Sequence, residues 1–251
     1  MALYDQFAPI YQRGPYVRFS LGLVETILPD YFDEIGITPA KILDIACGEG
    51  SFAVAMAQSG YRMTGIDLSP QMIELARASA RKAQQEIKFH VEDMRSLPFK
   101  KEFDLATCFF DSLNYMLTVA DLQDVYKGAF RALKHGGVFI FDMNTIYGLA
   151  VDWMREETYV QNEKEDFIEI HRQSFDYENL IATMDLTVFQ KQEDLWRRID
   201  ETHRERGYPV ADIQFLLLEA GFEIMGMFGN LGKRSELQTT SPRVWFSARK
   251  P

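Results

Sequence analysis

Cysteine is nearly missing from this chain: only Cys47 and Cys108 occur in 251 residues. A disulfide-stapled fold is thereby excluded. The pair reads as two packed thiols in a reducing compartment, with a redox couple as the alternative. Long apolar runs are missing too. No stretch nears the length of a membrane-spanning helix, and residues 1–13 lack the apolar region of a signal peptide. A cytoplasmic chain without a membrane partner is therefore expected. Positive charge is in deficit, with 27 Lys and Arg against 37 Asp and Glu, a net charge of −10. Without a basic stripe, nucleic acid is not an expected partner. No cluster has metal-ligand spacing, so no metal site is expected, and His90 and His135 read as structural. Repeats and low-complexity tracts are absent.

What is present is an ordinary globular composition, 47% hydrophobic and 25% charged. The length suits one large domain, or one domain carrying an insert. Residues 41–53 read KILDIACGEGSFA. Ile42, Leu43 and Ile45 suit a buried parallel strand, which runs into the turn Cys47-Gly48-Glu49-Gly50. Gly48 and Gly50 there permit positive φ and close approach of a ligand to the backbone. Residues 51–59 have helical composition, and the amide-rich mouth of such a unit favours an anionic or strongly polar ligand group. A second strand, 62–67, ends on Asp67, a carboxylate able to accept both hydrogen bonds of a ribose diol. This spacing marks a nucleoside-cofactor site, but it also satisfies the dinucleotide fingerprint, so NAD and S-adenosylmethionine both remain open on the motif.

Three further features favour S-adenosylmethionine. Asp44 sits inside the first strand, where a carboxylate can order the glycine turn and face a cationic amino-acid moiety. Residues 87–92 form a third strand ending in Glu92-Asp93-Met94, with Asp93 suited to an adenine amine and Met94 to its ring. Residues 103–109 form a fourth strand ending in aromatics, among them Phe109. Helix signals punctuate the rest. Tyr4, Phe7 and Tyr11 share one face of a short amphipathic helix. A helix over 16–28 is expected to end at Pro29. Ser69-Pro70 starts another, with Met72 in its first turn packing either the adenine or the core. One over 121–133 is expected to stop at His135-Gly136-Gly137, and one over 211–220 at Gly221.

In order, LDIACGEG, GIDLSPQMIELAR, VEDM, FDLATCFFDSLNYM and LKHGGVFIFDMN resemble the class I S-adenosylmethionine-dependent methyltransferases over roughly residues 40–145. The resemblance implies an α/β fold: a Rossmann-like seven-stranded sheet of order 3-2-1-4-5-7-6, strand 7 antiparallel, with helices on both faces. Segments FEIMGMFG and VWFSARK fit its final strand pair. In that order Cys47 and Cys108 end adjacent strands. The resemblance also implies an N-terminal helix closing over the cofactor, with Tyr4 and Tyr11 reaching the methionine end or the acceptor. The expected cofactor-binding set is Tyr4, Tyr11, Asp44, Ala46, Gly48, Gly50, Asp67, Leu68, Met72, Asp93, Met94 and Phe109, with S-adenosyl-L-homocysteine as product.

After residue 144 the rhythm changes. DFIEIHRQSF, LIATMDLTVF and DLWRRIDETHRER alternate with period two around turn-like DYEN and KQED. They read as three or four antiparallel strands inserted between the fifth core strand and the next helix. Residues 1–150 and 207–251 would then form the core with its N-terminal helical lid, and 151–206 a β insert over the carboxyl ends of the core strands. Residues 156–206 hold fourteen Asp and Glu against seven Lys and Arg. That is either a solvated sheet face or a lure for a cationic amine. The layout is similar to amino-sugar N-methyltransferases and glycine N-methyltransferase, but Asp111-Ser112 stands where the sugar enzymes carry Ser-Ser.

Methyl transfer is an in-line displacement that alignment alone can accelerate, with a base needed only for a protonated nucleophile. Candidates for acceptor chemistry are Asp111, Asn114, Tyr115, His203 and Tyr208, with Asp111 and Tyr115, after the fourth strand, expected beside the methyl, and Asp111, Tyr115 and His203 taken as catalytic. His203 shares a strand face with Glu201 and Glu205, which should favour its imidazolium. The expected function is methyl transfer to a nitrogen or oxygen of a small-molecule metabolite by a monomer or homodimer. A catalytically silent cofactor-binding regulator and an NAD-dependent oxidoreductase are the rival readings.

Overall fold

The computed structural model describes residues 8–11 and 22–251. Helix α1 (Ala8–Tyr11) and a π-helical turn (Leu23–Ile27) running into α2 (Leu28–Ile35) precede the first strand. Then alternate β1 (Lys41–Ile45), α3 (Ser51–Gln58), β2 (Arg62–Asp67), α4 (Pro70–Lys82), β3 (Lys88–Val91), β4 (Phe103–Cys108), α5 (Val119–Ala132) and β5 (Leu133–Asn144). Four strands follow, β6 (Thr158–Lys164), β7 (Phe167–Asp176), β8 (Ile181–Gln192) and β9 (Leu195–Arg206). Helix α6 (Val210–Glu219), β10 (Glu223–Phe228) and β11 (Arg243–Arg249) follow, with short helical turns between some of these elements. The seven core strands lie in the order β3-β2-β1-β4-β5-β11-β10, with β11 antiparallel to both neighbours. This is the expected topology, with β10 and β11 as its sixth and seventh strands.

Alternate residues of each core strand enter opposite cores, which is why these strands read as unbroken apolar runs. On one face Leu43, Ile45, Phe139 and Phe141 pack against Tyr126 of α5 and Leu217 of α6. On the other, Ile42, Leu105 and Ile140 pack against Phe32, Met56 and Ile73 of α2, α3 and α4. Each such side chain contributes about 1.5–3 kcal/mol by leaving water. Cys108 belongs to the first core and Cys47 to the second, so the thiols are buried on opposite sides of the sheet and unbridged. Burial pushes both thiols well up, the state of inert packed cysteine.

β6 to β9 form a separate antiparallel meander in sequence order. Its small core is Phe167, Leu186, Val188 and Ile199, and Tyr11 packs against it. Two expectations about helix ends are corrected. Pro29 does not end a helix. It occupies the first turn of α2, where a missing N–H costs nothing, and the preceding turn is π-helical. His135-Gly136-Gly137 does not cap α5 either. Leu133 is already extended, and the glycines pair with Lys250 through Gly136 N–H to Lys250 O and Lys250 N–H to Gly137 O, both 2.8 Å. Tyr4, Phe7 and residues 16–21 of the helix expected over 16–28 lie outside the described residues. No helix among the described residues is long and apolar enough to cross a membrane.

α3 starts at Gly50, whose φ of +84° no other residue adopts cheaply. A Cβ there would lie 2.9 Å from Ala76 Cβ, so the glycine also lets α4 close on the turn. At Gly48, φ +53°, an added Cβ meets nothing within 4 Å. Urea unfolding should therefore find Gly50→Ala less stable than Gly48→Ala by about 1–3 kcal/mol, the cost of overpacking; equal losses would remove the packing role.

Candidate active site

The carboxyl ends of β1, β2 and β4 converge on a cavity of about 270 Å³. Its rim is the glycine turn, and Asp67 holds that turn in place. The Asp67 carboxylate accepts from Gly48 N–H through Oδ2 and from Ser69 N–H through Oδ1, each at 2.9 Å. Burial still raises its pKa, outweighing these donors. Asp44 lies deeper, 3% exposed. Its Oδ1 accepts from the Thr107 hydroxyl at 3.1 Å, while Oδ2 has no hydrogen-bond partner among the described residues. Burial pushes the Asp44 carboxyl up to about 8, against the opposing Thr107 bond, with the Asp67 charge adding to the rise. At the far end Asp93 is gripped by Arg95, whose Nη2 sits 2.6 Å from Oδ2 and whose Nη1 reaches Asp121 at 3.0 Å. The Arg95 hydrogen bonds hold the Asp93 carboxyl below the usual range.

β4 leaves the sheet through two consecutive left-handed residues, Phe110 (φ 59°) and Asp111 (φ 52°). Such conformations cost of order 1–3 kcal/mol each in a non-glycine residue. Asp142, fully buried on β5, offsets this by accepting Phe110 N–H at 2.9 Å and Asp111 N–H at 3.2 Å. Burial raises the Asp142 pKa, opposed by its ion pair with Arg243. Arg243 reaches it because the β5–β11 register sets Arg243 opposite Asn144. The same guanidinium holds Asp111 at 2.9 Å, and Asn144 Nδ2 donates to both Asp111 (3.1 Å) and Glu205 (2.9 Å). Glu205 is pushed well up by burial and then by the Asp111 charge.

A second cavity, of about 520 Å³, lies under the inner face of the four-stranded sheet. On that face Tyr115 OH meets His203 Nδ1 at 2.9 Å, Tyr159 OH meets His171 Nδ1 at 3.1 Å, and His171 Nε2 meets Glu169 at 2.7 Å. Tyr11, Phe110 and Tyr115 line both cavities, so these three side chains are the wall between them.

Residues 42–137 match the family model described as a methyltransferase domain. A Bacillus subtilis (strain 168) protein named "Putative methyltransferase YqeM" is 30% identical over 253 residues, spanning 99% of this chain and 97% of its own. A crystal structure of an S-adenosylmethionine-dependent methyltransferase from Clostridium acetobutylicum superposes with a TM-score of 0.84 at 24% identity, covering 98% of each chain. The structure of an amino pentose methyltransferase from Micromonospora echinaspora with S-adenosylmethionine bound gives 0.72 at 18% identity, covering 100% of this chain and 99% of that one. The chain belongs to the class I S-adenosylmethionine-dependent methyltransferases.

The first cavity fits that cofactor on its own chemistry. The unpartnered, buried Asp44 Oδ2 offers an acceptor to a cationic group, and open space lies where a Gly48 side chain would stand. Of the expected cofactor residues, Tyr11, Asp44, Ala46, Gly48, Asp67, Leu68, Met72, Asp93, Met94 and Phe109 line the cavity. Gly50 does not, because it faces Ala76 instead, and Tyr4 lies outside the described residues. Asp111, Tyr115 and His203 line the second cavity.

Other expectations meet different packing. Asn114 is wholly engaged in joining β5 to β9, donating to Asn144 O (3.0 Å) and Arg206 O (2.8 Å) and accepting from Asn144 N–H (2.9 Å). Tyr208 donates to the carbonyls of Met116 and Thr118. His203 is not tilted toward its imidazolium. Burial, with His171 nearby, pushes it down to about 4, although Glu201 lies 3.5 Å from Nε2. Arg95, Asp142, Glu169, His171, Glu205 and Arg243 were not identified as site residues from sequence. The alternation Glu169, His171, Gln173 in DFIEIHRQ was the one local signal, three polar residues on a single strand face.

Asp44 generates a prediction with a definite sign. Between the ordinary value of 3.8 and about 8, the unfolded chain loses this proton while the folded, ligand-free protein keeps it. Its contribution to stability therefore falls as pH rises across that window. Asp44→Asn removes the dependence, so its Tm advantage over the parent should widen from pH 5 to pH 8. Calorimetry should find it binding S-adenosylmethionine about tenfold or more weakly, the loss of a charged hydrogen bond. A constant Tm gap would contradict the buried-proton account.

Proposed function

We propose that this methyltransferase transfers its methyl group to a nitrogen or oxygen of a small polar metabolite held in the second cavity. The observation that carries the reading is the shared wall of Tyr11, Phe110 and Tyr115 between the two cavities. Bound S-adenosylmethionine supplies an electrophilic methyl on a sulfonium. Asp44 would meet its amino-acid cation, Asp67 the ribose diol, and Asp93 with Met94 the adenine, while Ala46, Gly48, Leu68, Met72 and Phe109 shape the walls and Tyr11 closes the methionine end. Asp67 has lone pairs to spare for the diol after its two backbone bonds, so one carboxylate serves both loop and ligand.

Residues 151–206 would act as the acceptor subdomain on a core of 1–150 and 207–251. The inserted sheet excludes water from the junction, and alignment across the wall provides acceleration. His203 is neutral at pH 7, so its Nδ1 can accept a hydrogen bond from the Tyr115 hydroxyl and fix the phenol oxygen toward the acceptor. Asp111 stands at the same junction as the candidate proton acceptor.

Mass spectrometry of ligand released from the purified protein, followed by calorimetry, tests the donor. Micromolar S-adenosylhomocysteine binding with no response to NADH is expected; the opposite pattern sinks the reading. Turnover on a metabolite panel is read as S-adenosylhomocysteine release. With an acceptor in hand, Tyr115→Phe should lower kcat about tenfold or more while donor affinity changes little. An unchanged kcat removes Tyr115 from the junction.

A further inference from the structure

We infer that the acceptor is a protonated amine, whose nitrogen is held and deprotonated by the Asp111–Glu205 carboxyl pair on the floor of the second cavity. This rests on the methyl-transfer reading above and narrows it to one acceptor chemistry. Three carboxylates, Asp111, Asp142 and Glu205, gather around one guanidinium, Arg243. Asp142 is fully buried and takes two backbone N–H groups as well as Arg243. Asp111 takes the other arm of Arg243. Glu205, 2% exposed, has the Asn144 amide and Asp111 as its polar neighbours. One carboxyl, Glu205, is therefore left without a cation in contact among the described residues, and burial with the neighbouring Asp111 charge pushes its pKa well up. The other arginine lining this cavity, Arg155, is bonded to Asp152 at 2.6 Å.

Two independent features of the cavity also favour a cationic donor group. Its lining includes Tyr11, Phe110, Tyr115, Trp153 and Tyr159, aromatic faces that attract an ammonium. Gln173, nine-tenths buried in the same lining, has an Oε1 without a hydrogen-bond partner among the described residues, an acceptor able to receive N–H. His203 adds no opposing charge, because burial keeps it neutral.

The chemistry balances. As an ammonium enters, Glu205 releases its own proton to solvent, and the ammonium then passes one proton to the Glu205 carboxylate beside Asp111. The freed nitrogen lone pair forms the new N–CH3 bond as the S–CH3 bond breaks, its electrons passing to sulfur. The product leaves as a methylammonium, with Glu205 protonated again as it began.

The test uses the full chain with S-adenosylmethionine and metabolites in matched pairs that differ by an amino group against a hydroxyl. Turnover is read as S-adenosylhomocysteine release, and binding by calorimetry on S-adenosylhomocysteine-loaded protein. At least one amine should bind and be methylated, with its hydroxyl partner about 100-fold poorer in kcat/KM. Glu205→Gln mimics the protonated side chain, so it should fold as the parent does. It should lower kcat/KM for the amine about 100-fold and flatten the acid limb of its pH profile, the range expected for a lost proton acceptor. Asp200→Asn, on the exposed outer side of β9, should leave turnover unchanged. Methylation of hydroxyl compounds alone would overturn the inference and leave the methyltransferase reading intact. An unaltered Glu205→Gln profile would overturn it too. No binding or turnover by any amine overturns it as well, and a failure to bind S-adenosylhomocysteine would overturn the reading beneath it.

Discussion

Phe110 and Asp111 leave β4 in left-handed conformations that neither residue type favours, and they stay there because Asp142 accepts both of their amide N–H groups. That buried carboxylate fixes the point where the two cavities meet. It directs the Phe110 side chain into the shared wall and sets Asp111 on the floor of the second cavity. Arg243 makes the burial tolerable by pairing with both acids, and the β5–β11 register delivers it. Topology and site are thus linked: the antiparallel last strand of the sheet is what brings the cation in.

Around this junction the protein keeps an excess of acid out of water. Asp44, Asp67, Asp142 and Glu205 all have pKa values raised by burial. Groups held this way are poised to respond to an arriving charge, because a cation restores the ionised form that burial disfavours. The donor is cationic, and so is the inferred acceptor. One electrostatic device then serves both sides of the wall, and the acidic character of residues 156–206 takes on a local meaning through Glu205.

The fold was largely legible because its signals are local and ordered. A strand, a glycine turn, a helix and a terminal acid recur within about twenty-five residues, and the five segments appear in topological order. The inserted sheet was visible through period-two alternation between turn residues. Gly50's packing role could not be read from the sequence, because a turn glycine that admits a neighbouring helix has the same sequence as one that admits a ligand. Asp142 and Arg243 were invisible because they are 101 positions apart, and one sequence carries no record of such pairing. His203 misled for another reason: its carboxylate neighbours could be read from the strand, but its depth of burial, which decides the sign of its shift, could not.

A crystal structure with S-adenosylhomocysteine bound tests the central claim most directly, because the claim concerns which way the reacting sulfur faces. The account predicts the ribose at Asp67, the adenine between Asp93 and Met94, and the sulfur turned to the wall of Tyr11, Phe110 and Tyr115. A ligand seated elsewhere, or a sulfur facing away from the second cavity, would contradict it.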